Sequence, residues 1–111
     1  DACSVITHLR EDLQVAQEDL IILGRSMGTG VSLEMLNRTK LKPDCLLLMQ
    51  PFATLQEIIA NLTTKKFAEL CVTRFDNKTE IKPVNCPILI IESENDKLFQ
   101  RKMGPELAAQ V

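Results

Sequence analysis

The segment Leu20-Ile21-Ile22-Leu23-Gly24-Arg25-Ser26-Met27-Gly28-Thr29-Gly30 carries the strongest structural signal in this sequence. Its first four residues are an apolar run without alternation, which favours a strand buried on both faces of a parallel sheet. The residues after Ser26 have helical spacing. Ser26 is therefore predicted to lie on a tight turn between a buried strand and a helix.

Gly24, Ser26 and Gly28 form the pattern G-x-S-x-G, the signature of a nucleophile elbow. In such an elbow the glycines remove side chains that would collide when the turn closes, so that the serine hydroxyl projects from the top of the sheet. The structural alternative is an inert serine in a glycine-rich turn. Dinucleotide-binding and P-loop sites are excluded, because neither G-x-G-x-x-G nor a following Gly-Lys-Ser/Thr occurs.

Helical and strand patterns alternate along the chain, which predicts an α/β fold with a parallel sheet. Apolar runs predict strands near residues 20–24, 45–50 and 87–92. Amphipathic spacing predicts helices near residues 2–14, 27–38, 54–72 and 105–111, and the residues from Phe67 either continue the third helix or begin another turn after a kink. Thr54 and Glu57 match a capping box at the start of the third helix, whereas Asp76-Asn77-Lys78 is predicted to be a loop.

The composition is that of an ordinary soluble globular chain, with 111 residues of which 45% are hydrophobic and 25% charged. A net charge of −2 gives no electrostatic basis for binding nucleic acid, and Lys40/Lys42 and Lys65-Lys66 are predicted to be solvated surface. No apolar run reaches the roughly 18 residues of a membrane span, and the first residues lack a signal-peptide pattern. We expect a cytoplasmic protein without a transmembrane segment.

Cysteine spacing predicts neither a zinc site nor a disulfide framework, because no C-x-x-C pair occurs. We expect reduced thiols in the core, and no metal or other cofactor. Three N-x-T triplets, at Asn37, Asn61 and Asn77, match the glycosylation acceptor pattern and leave a secretory location open. The cysteines in question are Cys3, Cys45, Cys71 and Cys86.

An acidic segment, Glu92-Ser93-Glu94-Asn95-Asp96, follows the third predicted strand. Parallel strands end at one edge of a sheet, so Ser26 and Asp96 are predicted to share that edge. A serine hydroxyl becomes nucleophilic when a histidine takes its proton, and a carboxylate orients that histidine. Asp96 is the candidate carboxylate and Glu94 its rival. Serine first and acid later is the chain order of α/β-hydrolases.

On these residues the chain resembles the central-to-C-terminal part of an α/β-hydrolase-fold serine hydrolase, close to the acyl-protein thioesterase-like and peptidase-like branches. The resemblance covers nearly all of the chain and rests on the opening helix and on residues 20–30, 47–52 and 87–96. It implies that residues 1–111 form part of one three-layer sandwich, incomplete at both ends. It also implies hydrolysis of acyl esters, thioesters or amides, with Ser26 as nucleophile, Asp96 as triad acid and the Met27 N–H as an oxyanion donor.

The sequence also departs from that family. Glu92-Ser93 stands where the family usually has His-Gly, and the family's catalytic histidine would lie beyond the helix that starts near Glu106. His8 precedes the nucleophile strand and is therefore not that histidine. It lies beside the apolar stripe of the first predicted helix, so we expect a surface or boundary residue. A three-stranded sheet would have two open edges and one incomplete helix layer, so we expect a fragment or reduced relative, inactive alone, whose open sheet edges a partner chain could cover. The alternative function is a non-catalytic α/β-hydrolase-like subunit that keeps the elbow as a structural turn.

Overall fold

The computed structural model describes residues 1–70, 74–94 and 102–111. Three strands, β1 (Ile21–Arg25), β2 (Cys45–Met49) and β3 (Ile88–Ile91), form one parallel sheet in the order β1-β2-β3. In the centre of the sheet, Leu46 is in register with Ile22 on one side and Ile88 on the other. The predicted α/β class is confirmed, and each strand begins and ends within one residue of its prediction.

The helices of the described residues follow the predicted order, with one of them divided. Of the two alternatives for the helix near 54–72, the interrupted one is found, because the chain leaves the helical conformation at Thr63 (φ −132°, ψ −117°). The hydroxyl of Thr64 then accepts from the Phe67 N–H at 3.3 Å, which caps a new helix. The α-helices are α1 (Ala2–Thr7, continued as a π-helix over His8–Asp12), α2 (Met27–Thr39), α3 (Leu55–Leu62), α4 (Lys65–Leu70), α5 (Asn77–Glu80) and α6 (Met103–Ala108).

Helix α5 occupies the segment that was predicted to be a loop. Asp76 is its N-cap, since the carboxylate accepts from the Thr79 N–H at 3.3 Å. Ile81, directly after the helix, is fully buried and anchors it to the core. The polar residues at positions 76 to 78 are therefore a helix start, and the loop prediction is wrong.

The main core lies between one face of the sheet and the helices. Side chains of Ile22, Leu46, Leu48, Ile88 and Ile90 pack there against apolar residues of α1, α2 and α6. Burial of the apolar strand face removes hydrocarbon from water and holds these helices on the sheet. The elbow segment is thereby fixed at both ends, by β1 and by α2.

The opposite face of the sheet is open. Ile21, Leu23, Leu89 and Ile91 point to it and are 41–61% exposed. Burial of the strands on both faces, as in a three-layer sandwich, is therefore not seen in residues 1–70, 74–94 and 102–111. Apolar residues at successive strand positions predict two covered faces, but they do not say which part of a protein covers the second one.

A smaller cluster sits beyond the carboxyl ends of the strands. Phe52, Ala53, Ile58 and Met103 are buried there, with Phe75 packed against them. Two backbone bonds of 3.3 Å, from Leu55 N–H to Phe75 O and from Lys78 N–H to Ala53 O, join the segment after β2 to the start of α5. This cluster places α5 directly beneath the first turn of α2.

Candidate active site

Ser26 connects β1 to α2 with φ 51° and ψ −121°. Positive φ is unfavourable for a residue with a Cβ, and these angles are those of the first central residue of a type II′ turn, which is usually glycine. Both sides of the turn are held: the Ser26 N–H donates to Met49 O and the Ser26 carbonyl accepts from the Thr29 N–H, each at 3.0 Å. Ser26 thus lies on the strained strand-to-helix turn that the sequence predicts.

The two glycines of the motif have different surroundings. A Cβ at Gly24 would lie 2.6 Å from the Gly28 carbonyl oxygen and 2.7 Å from Ser32 Oγ, so a side chain does not fit there. A Cβ at Gly28 would meet no described atom within 4 Å, contrary to the expected collision. A Cβ at Gly30 would instead lie 2.8 Å from the Phe75 ring. Within the described residues, closure of the turn needs glycine at 24, and packing of α2 needs it at 30.

The Met27 N–H lies at the amino end of α2. Ser26 makes no side-chain capping bond there, and no group in the described part of the chain accepts from the Met27 N–H. The first N–H groups of a helix have no partner within it, and the helix dipole makes this end favourable for negative charge. The hydroxyl of Ser26 and an available amide therefore occur on adjacent residues.

A buried hydrogen-bond chain lies beneath the turn. The Thr29 hydroxyl donates to the Ser26 carbonyl at 2.6 Å and accepts from Asn77 Nδ2 at 3.3 Å. Asn77 Nδ2 also donates to Phe52 O at 2.9 Å. Thr29 and Asn77 are both 0% exposed, and Asn77 Oδ1 has no partner among the described residues. Sequence reasoning missed Asn77; the signal for it was Asp76-x-x-Thr79, whose capping pattern marks a helix start.

Glu92 lies directly after β3 and contacts the start of α6. Its Oε1 accepts from the Gly104 N–H at 2.6 Å, which joins the end of β3 to the start of α6. Asp96, the predicted triad acid, lies in the intervening segment and outside the described residues. Glu94, its predicted rival, is exposed. The position of the acid relative to Ser26 thus stays a prediction.

Lys78, on α5, forms ion pairs with residues of two other helices, α3 and α6. Its Nζ lies 2.8 Å from Glu57 Oε1 on α3 and 2.9 Å from Glu106 Oε2 on α6. Hydrogen bonds to Glu106 and Glu57 raise the pKa of Lys78 above its ordinary value. Thr54 Oγ1 accepts from the Glu57 N–H at 3.1 Å, as the capping box predicts, while the Glu57 carboxylate binds Lys78.

The one histidine of the sequence, His8, lies at the surface. His8 is exposed on the α1 side, with its Nδ1 2.6 Å from Asp12 Oδ2, as expected of a surface residue. No group of three or more His, Cys, Asp or Glu suited to a metal ion occurs within the described ranges. Among the acceptor asparagines, Asn77 is buried and Asn37 donates to Glu80 O at 2.8 Å, whereas Asn61 is exposed.

The cysteines and lysines are placed largely as their sequence environment suggests. Cys3, Cys45 and Cys86 are free and half-buried, while Cys71 lies outside the described residues. Burial raises the pKa of Cys86, and the nearby Cys45 adds to that rise. Both lysine pairs that were predicted to be surface are exposed.

Comparison with protein-family models, with curated proteins and with solved structures gives no match to this chain. Across the described parts of the chain, no helix combines the length and the apolar character needed to cross a membrane. Function must therefore be argued from the residues and the geometry around Ser26.

Proposed function

We propose that this chain carries the nucleophile of a serine hydrolase of the α/β-hydrolase type, which cleaves acyl ester, thioester or amide bonds through an acyl-Ser26 intermediate. The observation that carries the proposal is the backbone of Ser26, with φ 51° between a parallel strand and a helix. Such a conformation costs about 1–3 kcal/mol and is found preferentially at functional sites. It is also the turn that a G-x-S-x-G nucleophile requires.

In the proposed reaction Ser26 Oγ attacks the acyl carbon while a histidine takes its proton. The Met27 N–H donates to the oxygen that becomes negative, and the protonated histidine returns the proton to the leaving group. Water then repeats these steps on the acyl-serine and releases the acid. Asp96 orients the histidine. Because His8, the one histidine of these 111 residues, binds Asp12 at the surface, the base of the proposed reaction is a histidine outside them.

A fluorophosphonate probe tests the nucleophile in the full-length protein. We expect one covalent label on Ser26, since only an activated serine hydroxyl displaces fluoride from the probe. Trypsin cleaves after Arg25 and Arg38, and the resulting peptide contains Ser26 and Ser32, which fragmentation by mass spectrometry separates. Ser26→Ala should abolish labelling and Ser32→Ala should retain it. A folded protein that takes up no label would overturn the proposal.

A second candidate is a non-catalytic α/β-hydrolase-like subunit in which the turn is only structural. It is favoured by Glu92, whose carboxylate is bound to the Gly104 N–H at the strand end where the resembled family usually has His-Gly. In that case the folded full-length protein stays unlabelled, and Ser26→Ala changes none of its binding to a partner. The same labelling experiment therefore separates the two candidates.

A further inference from the structure

The carbonyl of Ser26 is held from two directions by one residue. It accepts from the Thr29 N–H at 3.0 Å and from the Thr29 hydroxyl at 2.6 Å. A trans peptide is planar, and its C=O and N–H groups point in opposite directions within the plane. The bonds to the Ser26 carbonyl therefore also set the direction of the Met27 N–H, on the other side of the same peptide.

Asn77 sets the direction of the Thr29 hydroxyl. A threonine hydroxyl has one proton and can rotate, so its bond direction depends on what surrounds the oxygen. Asn77 Nδ2 donates to that oxygen at 3.3 Å, which leaves the hydroxyl proton for the Ser26 carbonyl. Asn77 is itself fixed by its bond of 2.9 Å to Phe52 O.

The burial of Asn77 indicates that its side chain does more than fill space. Asn77 is 0% exposed, and its Oδ1 has no partner among the described residues. An unpaired buried carbonyl is unfavourable, and an apolar residue of similar size would avoid it. The amide nitrogen, which makes both bonds of the side chain, is therefore the part that the structure uses.

We propose that Asn77 is a positioning residue for the oxyanion hole: through Thr29 it fixes the orientation of the Met27 N–H. This inference rests on the proposed function, because it assigns the Met27 amide as an oxyanion donor. Asn77 acts through Thr29 alone and contacts no reacting atom. Loss of the chain should weaken binding of the transition state more than binding of the substrate.

Threonine substitutions test this with a matched pair on one helix. Thr29→Val removes the hydroxyl and keeps the shape, and Thr39→Val removes the equivalent bond of 2.8 Å to Met35 O at the far end of α2. With p-nitrophenyl butyrate and the full-length protein, we expect Thr29→Val to lower kcat about tenfold at unchanged KM. Thr29→Ser, which restores the hydroxyl, and Thr39→Val should both stay within about twofold of wild type.

Asn77→Ala and Thr29→Val together form a double-mutant cycle. Asn77→Ala should also lower kcat about tenfold, and the Asn77→Ala/Thr29→Val double variant should be no slower than Thr29→Val, because both act through one chain of bonds. Values of kcat within about twofold of wild type in folded Thr29→Val, or an equal loss in Thr39→Val, would overturn the inference. If Asn77→Ala does not fold, the three threonine variants Thr29→Val, Thr29→Ser and Thr39→Val decide alone.

A readout without turnover separates this inference from the proposed function. The residual dipolar coupling of the Met27 amide reports the direction of its N–H bond. We expect it to change in Thr29→Val and to be the same in Thr39→Val and wild type. If the wild type is neither labelled nor active, the proposed function fails, and an altered coupling still supports positioning by Thr29. An unaltered coupling in Thr29→Val overturns the inference that Thr29 positions the Met27 N–H.

Discussion

Glu92 and Gly104 form a close contact that depends on the absence of a side chain. Glu92 Oε1 accepts from the Gly104 N–H at 2.6 Å, and a Cβ at Gly104 would lie 2.3 Å from Glu92 Cδ. Glycine at 104 therefore makes room for the carboxylate that joins β3 to α6. The two residues flank the predicted acid, Asp96, in the sequence.

Gly104→Ala should break this contact. The added methyl group displaces the exposed Glu92 carboxylate and loses a charge-assisted hydrogen bond, which outweighs the gain in helix propensity, so we expect the free energy of unfolding to fall by about 0.5–1 kcal/mol. Urea denaturation measures the change. Glu92→Gln, which keeps an acceptor and removes the charge, should cost less. Equal stability of Gly104→Ala and wild type would contradict the role given to this contact.

Gly24 and Gly28 offer a matched comparison within the motif. Gly24→Ala should lower the free energy of unfolding by about 1–3 kcal/mol, because its Cβ would meet the backbone carbonyl of Gly28. The Cβ added by Gly28→Ala would lie in open space on α2. Because alanine has the higher helix propensity, this variant should raise the free energy of unfolding by up to about 1 kcal/mol. Thermal unfolding of the two variants gives the signs, and a loss of stability in both would show that our account of Gly28 is wrong.

Ser26→Gly should release backbone strain while removing the proposed nucleophile. Glycine adopts positive φ freely, whereas a residue with a Cβ costs about 1–2 kcal/mol there. We expect Ser26→Gly to be more stable than Ser26→Ala by about 1 kcal/mol, as measured by urea denaturation. Neither variant should react with a fluorophosphonate. A less stable Ser26→Gly variant would mean that the turn is not strained in solution.

Lys78 should make stability depend on pH at the alkaline end. Its pKa is raised in the folded state by Glu106 and Glu57, so the unfolded chain loses this proton first as the pH rises. The stabilisation is complete below the ordinary lysine pKa of about 10.4 and is lost as the pH rises above it. The stability difference between wild type and Lys78→Met should therefore shrink above that pH.

Lys82→Met, which removes an exposed lysine near the end of α5, is the control for this prediction. Its stability relative to wild type should be nearly constant over the same pH range, because it lacks the paired carboxylates. At neutral pH we expect Lys78→Met to cost about 1 kcal/mol, given that the pair is partly solvated. A pH-independent difference for Lys78→Met would contradict the two ion pairs.

Local patterns predicted the strands and the turn at Ser26 well, because apolar runs and glycine spacing act over a few residues. The pattern left open whether the third helix continues or is interrupted before Phe67, because Thr64 can cap a helix as well as continue one. Burial of Asn77 was missed because its partners, Thr29 and Phe52, are distant in sequence. An incomplete helix layer was expected for a three-stranded sheet, but which face stays exposed was not, since the composition of a strand does not identify its covering layer.

The strand order β1-β2-β3 has a consequence for how the chain folds as it leaves the ribosome. Each strand adds beside the one made before it, so β1 and β2 can pair while β3 is still being synthesised, at roughly 5–20 residues per second. Asn77, however, lies between β2 and β3 in sequence and supports Thr29 only after it has emerged. The turn at Ser26 is thus synthesised before the residue that supports it. On a ribosome paused before residue 77, the turn lacks the hydrogen bond from Asn77 to Thr29.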